Sequence, residues 1–381
     1  MKNNKNNNCN FPTLRFPEFS GEWKKDIIGN VISVKSEKYN PHSNRTEFIC
    51  VELESISQGT GELLETFNSA EQKSIKNKFS PGTVLFGKLR PYLRKFYLPY
   101  FEGVCSSEIW VMRSNKIEPA FLYSFIQTPY FISLANQSSG SKMPRADWGL
   151  IETSKIAYPP NSAERVKIGK FLKLIDERIA TQNKIIEEYK KLKNALAELF
   201  FAKSIEYTSI GEMCDVVMGQ SPSSVAYNYT KNGLPLIQGN LDIFEGVTSP
   251  RMWTSDITKQ CDIGDIILTV RAPVGDVAKS NMIACVGRGV CAIKVKESGC
   301  SEYVYQYLLY FKAKWGSIEQ GSTFSAISRN DILNINIPVI TKRLIVASHL
   351  LALFDSEISI EALNLNVYTK QKQYLLTKMF I

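Results

Sequence analysis

Residues 25–200 and 206–381 read as two copies of one design, and no other feature narrows the possible folds as far. Ile28-Gly29-Asn30, Gly82-Thr83-Val84-Leu85-Phe86 and Pro91 in the first copy answer to Ile210-Gly211-Glu212, Gly264-Asp265-Ile266-Ile267-Leu268 and Pro273 in the second. Further along, Gly140-Ser141 answers to Gly321-Ser322, Asp176 to Asp355, Tyr189 to Tyr368, Leu196 to Leu375 and Phe201 to Phe380. The offset stays near about 180 residues throughout. Solenoid repeats are far shorter, roughly 20–50 residues, so this period implies a duplicated domain. Each copy is long enough to bury its own core.

Each copy runs through a mixed α/β part and closes with a long helix, which predicts an α/β (α+β) fold of two tandem-duplicated domains. Strands are expected over Thr83–Phe86 and Val104–Arg113 in the first copy and over Ile263–Val270 and Val290–Val295 in the second. Helices are expected from Ile117 to Leu134, interrupted near Pro129, and from Glu302 to Ile318. From Ser162 to Lys203 there is no proline, and Gly169 is the single glycine. Ile168, Ile175, Gln182, Tyr189 and Leu196 recur every seven residues, as do Leu172, Ile179, Ile186, Lys193 and Phe200. All but Gln182 and Lys193 are apolar, which makes an a/d seam. At about 1.5 Å per residue such a helix is a rod of about 60 Å. The last forty or so residues carry the same register in Ala347, Phe354, Glu361, Tyr368 and Leu375 and in Leu351, Ile358, Leu365, Lys372 and Met379. Its polar breaks, Glu361 and Lys372, answer to Gln182 and Lys193. The two seams predict an antiparallel coiled coil; the alternative is two amphipathic helices, each packed on its own domain. The expected order is a flexible tail (1–10), a first domain (11–160), a central helix (161–203), a second domain (204–340) and a C-terminal helix (341–381).

The chemistry of an enzyme is hard to find. No phosphate-binding GxxxxGK[ST] loop occurs, and Gly59-Thr60-Gly61 and Gly287-Arg288-Gly289 lack the third glycine of a dinucleotide site. His42 and His349 are the only histidines, the eight cysteines form no CxxC pair, and carboxylates are dispersed. We therefore expect a binder with no metal, no catalytic residue and no cofactor of its own. No apolar run of 18 residues is present and the start lacks a signal-peptide core, so the expected location is cytoplasmic and away from membranes.

A net charge of +9 and a pI near 9.0 favour a polyanionic partner. Cations and amides gather at the expected loops of both copies. Lys88, Arg90, Arg94 and Lys95 interleave with Tyr92 and Phe96, and Lys142 and Arg145 follow. The second copy offers Ser221, Ser223, Gln238, Asn240, Arg271, Arg288, Thr323 and Arg329. Lysine and arginine attract phosphates, and Arg, Gln and Asn can make paired bonds to base edges. A solvated basic loop is the plain alternative for any one segment; the matching places in two copies favour double-stranded DNA. A coiled-coil scaffold that binds proteins and meets no nucleic acid is the competing function.

Several motifs resemble one family over nearly the whole chain: the specificity (S) subunits of type I restriction–modification systems. They are Phe11-Pro12-Thr13-Leu14-Arg15-Phe16-Pro17-Glu18-Phe19, Trp23 to Gly29, Gly219-Gln220-Ser221-Pro222-Ser223, Leu234-Pro235-Leu236-Ile237-Gln238-Gly239-Asn240 and the helix start Glu164 to Asp176. The C-terminal copy of that helix start, Lys342-Arg343-Leu344-Ile345, lacks the acidic residue. The resemblance implies two target-recognition domains, each reading half of a split, asymmetric DNA sequence, with the paired helices as spacer. It also implies two modification (M) subunits that methylate adenine, and restriction (R) subunits, as partners.

Overall fold

The computed structural model describes residues 10–43, 46–137, 143–202, 206–317 and 326–381. The chain divides into two compact units, Met1–Lys184 with Leu363–Ile381, and Ile185–Ala362. Each long helix therefore begins in one unit and ends in the other: the central helix spans Ser162–Phe201 and the C-terminal helix Lys342–Lys378. Among the described residues, no helix is long and apolar enough to cross a membrane.

In the first unit a three-stranded sheet runs Phe96–Tyr97, Val84–Gly87, Ile109–Met112. Alternation along a strand sends neighbours to opposite faces, and here both faces are covered. Val84, Phe86, Trp110 and Met112 pack toward the helices Pro119–Phe125 and Pro129–Ala135 with Ile168, Leu172 and Leu375. Leu85, Ile109 and Val111 face the other way, onto Val51, Phe79 and Cys105 of a five-stranded sheet. That sheet has the order Lys38–Tyr39, Lys76–Phe79, Gly103–Cys105, Ile49–Val51, Phe67–Asn68, with a parallel pairing between the third and fourth.

The second unit repeats this plan. Ile266–Thr269 lies between Val277–Lys279 and Val290–Val295. Ile266, Leu268, Cys291 and Ile293 face the helix Ser301–Phe311, while Ile267, Val290 and Ala292 face Ile237, Cys261 and Val286. The second sheet again carries one parallel pairing, Leu234–Ile237 beside Ala284–Val286. The units differ at the margins. Cys214–Met218 adds a full strand against Val290–Val295, where the first unit has a single bridge, Ser33 to Arg113.

Two expected elements need correction. Val104–Arg113 is not one strand: the chain leaves one sheet at Cys105, turns through Ser106–Glu108 and enters the other at Ile109. The turn is locked by the bond from Ile109 N to Ser106 O. The helix expected over Glu302–Ile318 is α-helical only from Ser301 to Phe311 and tightens to a 3-10 helix over Lys312–Ser317. Pro119 and Pro129 both stand at helix starts, where a missing N–H costs nothing.

The central helix starts where Asn161 Oδ1 accepts from Ala163 N at 2.9 Å. Gly169 is required by packing, since a Cβ there would come within 2.8 Å of the Ala120 Cβ. All the seam positions of both helices are buried or half-buried. In the first unit Arg178 donates to Tyr368 Oη at 2.8 Å and lies over its ring, and Lys372 pairs with Asp176. In the second, Tyr189 packs on Phe354 and Lys193 pairs with Asp355 at 2.5 Å. In the first unit the partner number falls, from 372 to 368, as the first number rises from 176 to 178, so the helical segments run antiparallel there.

Candidate nucleic-acid interface

In the first unit the strand Val84–Gly87 continues into a junction of three backbone segments. Lys88 N donates to Glu108 O at 2.9 Å, Ala146 N to Lys88 O at 2.8 Å and Arg90 N to Pro144 O at 2.8 Å. Leu89 thus stands opposite Arg145 in an isolated bridge. The junction brings together Lys88 (half-buried), Arg90 and Arg145 (both exposed), with Glu108 pairing Arg145 at 3.1 Å.

The four cations expected to form one phosphate strip do not all face outward. Arg90 and Arg94 both adopt left-handed backbone, φ 52° and 51°, on either side of the turn Pro91–Leu93. That conformation is uncommon for residues with a Cβ. It lets the turn reverse the chain, so that Arg90 is exposed while Arg94 folds back. Arg94 donates to Gln127 O at 3.2 Å, and burial holds its pKa below the usual arginine value. Lys95 Nζ donates to Leu53 O at 2.6 Å, and Phe96 is wholly buried. Arg94 and Lys95 therefore tie the domain together. Tyr92 is exposed at 52%. Lys142 lies outside the described residues.

The second unit has the same junction with other side chains. Val270 N donates to Gly289 O at 2.9 Å and Ile327 N to Val270 O at 3.1 Å, and Arg271 stands opposite Ala326. Here the junction opens into a cleft of about 460 Å³ lined by Ser221, Tyr227, Gln238, Asn240, Arg271 and Arg288. Five of these are residues singled out from the sequence. Both arginines are exposed. The floor is backbone: a side chain at Gly219 or Gly289 would overlap the carbonyls of Gly287 and Gln238, respectively. The turn Asn240–Asp242 is pinned by Asp242, 3% exposed, whose carboxylate accepts from Gln238 N at 2.8 Å and Arg251 Nε at 3.1 Å.

Ser223 and Arg329 do not line the cleft. Ser223 N donates to Asp256 at 2.8 Å, and Arg329 Nε is engaged by Val216 O at 3.1 Å. Thr323 lies outside the described residues. The sequence reading passed over Glu108, Tyr227 and Asp242. Asp242 had a signal, two residues after Asn240 in a Gly-Asn-Leu-Asp turn; Glu108 and Tyr227 join their sites only through tertiary contacts.

A cleft with two outward guanidinium groups and two carboxamides presents the donors and acceptors that pair with guanine and adenine edges. Its lining is mostly polar, with the backbone of Gly239 and Gly289 among it, which suits a groove reader better than an enclosed, apolar small-molecule site.

Residues 2–191 and 203–342 match the type I restriction modification DNA specificity domain. The chain belongs to that family of specificity subunits. It is 29% identical over 373 residues to a Methanocaldococcus jannaschii protein assigned as the specificity subunit of the type I restriction enzyme MjaX, covering 87% of this chain and 86% of that one. A chain from a solved type I restriction–modification system, whose structure addresses complex assembly and conformational transition, aligns with a TM-score of 0.60 at 26% identity, over 94% of this chain and 97% of that one. The S subunit from M. genitalium shares the fold, with a TM-score of 0.64 at 15% identity, over 97% and 99% of the two chains.

Proposed function

We propose that this subunit reads a bipartite, asymmetric double-stranded DNA target, one half with each domain, and performs no catalysis itself. The observation that carries this reading is the repeated strand junction, which keeps two backbone bonds in both units while its side chains change. The second domain reads bases chiefly with Arg271, Arg288, Gln238 and Asn240, with Ser221 at the rim. The first uses Lys88, Arg90 and Arg145, and phosphate contacts dominate there because its cations are not backed by amides. Arg329, Ser223, Lys142 and Thr323, which flank these segments in sequence, serve as contacts to the DNA backbone. Two adenine-methylating M subunits would dock on the helices and domains, and R subunits would join through them; the S-adenosylmethionine and ATP chemistry then belongs to the partners. The chain's order of parts is a domain to about residue 160, its helix to about 203, a domain to about 340 and its helix to the end.

The test is methylome sequencing of cells that produce the full chain with its M subunit. A single split motif with an unspecified gap is expected. Replacing Arg271 and Arg288 together by Gln should alter or abolish one half of the motif and leave the other half legible. A change spread over both halves would overturn the assignment of one half-site to each domain.

A further inference from the structure

Each unit contains the same kind of junction where its domain meets the helices, buried in the first and half-open in the second. In the first, Asp176 of the central helix pairs with Lys372 of the C-terminal helix. In the second the roles cross over: Asp355 is on the C-terminal helix and Lys193 on the central one, 2.5 Å apart. The domain contributes a tyrosine at the matching place. Tyr123 and Tyr305 are both buried, and burial first and the nearby Asp176 or Asp355 second raise their pKa values. Each phenol is seated on a glycine with left-handed backbone: Gly61 at φ +75°, where any Cβ would collide with Tyr123 Oη, and Gly246 at φ +77°, where a Cβ would lie 2.7 Å from Tyr305 Oη. A glutamine from the same domain helix region completes the set. Gln306 Nε2 donates to Asp355 at 2.8 Å, and buried Gln127 donates to the Tyr123 carbonyl at 3.0 Å.

Such a junction is a poor source of stability. Removing two charges from water costs about what their attraction returns, and well-packed apolar replacements are often neutral or better. Its use is specificity, because a charge in an apolar seam is satisfied at one register only. Here the satisfied register involves three elements in each unit: domain, central helix and C-terminal helix.

We propose that Asp176–Lys372 and Lys193–Asp355, with Tyr123 and Tyr305, are positioning residues that fix the register of each domain on its helical segments, and so the spacing at which the two half-sites are read. This rests on the bipartite reading proposed above. It adds that the spacing is set by two polar locks as well as by helix length.

The experiment uses the full chain produced with its M subunit. The parent should methylate one motif at one gap length; if it shows no split motif, the bipartite reading itself fails. The pair Asp176→Leu with Lys372→Leu should keep the half-site bases but methylate at more than one gap length, with roughly a tenth of modified sites shifted by about one to three base pairs, up to the ~10 Å of one heptad. The charge-reversed pair Asp176→Lys with Lys372→Asp should restore the single gap, which a purely structural role would not require. A double-leucine variant that melts like the parent and keeps the single parental gap would overturn the proposal. Should that variant not fold, the same substitution at Lys193 and Asp355, the more exposed pair, decides in the same way: a broadened gap supports the lock and an unchanged gap overturns it.

Discussion

At the end of the middle strand the first unit places Leu89 opposite Arg145, and the second places Arg271 opposite Ala326. Two flanking backbone bonds are the same in both. The arginine has moved from one side of the bridge to the other, and Glu108 of the first unit is matched by Gly289 of the second. Behind these faces the opposite holds. The glycine, tyrosine, aspartate and lysine of the helix junction recur in both units with their partners unchanged in kind. The contrast separates two jobs. Residues that seat a domain on its helices are retained through duplication, and residues that face solvent at the strand junction are free to diverge. Arg94 and Lys95 belong to neither group: both are cations in a basic loop, and both are held by carbonyls inside the domain.

The two ion pairs should respond unequally to the loss of one partner. Asp176 and Lys372 have side chains only 13% and 9% exposed, and burial pushes the carboxyl pKa up and the ammonium pKa down against their mutual attraction. Lys372→Met leaves a carboxylate buried without its cation and should cost about 3–5 kcal/mol. Asp355 is 41% exposed, so Lys193→Met should cost about 1 kcal/mol or less. Chemical denaturation of the two variants measures this, and equal losses would break the distinction between a buried and a half-open lock.

Base reading should be concentrated in the second unit's cleft. Arg271→Gln or Arg288→Gln should lose about 1–3 kcal/mol of binding to the cognate half-site and relax preference at one base pair. Competition binding with single-base variants gives the answer; a loss uniform over all sequences would make these arginines phosphate contacts.

The seating glycines sharpen the comparison further. Gly61→Ala and Gly246→Ala both force a Cβ into left-handed backbone and against a phenol, at about 1–3 kcal/mol each. Gly61 should suffer more, because its clash with Tyr123 is the closer one. Melting temperatures would show it, and a neutral Gly61→Ala would contradict the seating role.

Smallest is the split within the basic loop. Arg90→Gln should reduce the log–log salt dependence of DNA binding by about one unit. Arg94→Gln should leave the slope unchanged and lower stability instead. A slope that falls with Arg94 and not with Arg90 would reverse the assignment.

Much of this was legible in the residues. The seven-residue recurrence placed both helices and their sheltered faces, since period alone decides which side of a helix is apolar. The matched Gly–Asp–Ile and Gly–Thr–Val runs placed the middle strands. Ser221, Gln238, Asn240, Arg271 and Arg288 were readable as polar residues near matched strand ends, although not as one cleft. What stayed hidden depends on direction and on distant partners. Nothing local tells that Arg94 turns inward, because two left-handed residues, Arg90 and Arg94 on either side of the turn Pro91–Leu93, decide it. The break at Ser106–Glu108 exists because neighbouring strands belong to different sheets, a tertiary choice. Lys193 and Lys372 were visible as breaks in their seams, and Asp176 and Asp355 as matched residues. Only the packing of the two helices within each unit shows that they are each other's partners.

The most direct test of the central claim, one seating plan with two independent reading faces, is a domain exchange read by methylome sequencing. Residues 25–160 of this chain are replaced by the same region of a relative, and the chimera is produced with the M subunit. The account predicts that one half of the methylated motif changes to the relative's, while the other half and the gap stay as they were. A motif altered in both halves, or a parental motif that persists unchanged, would contradict it.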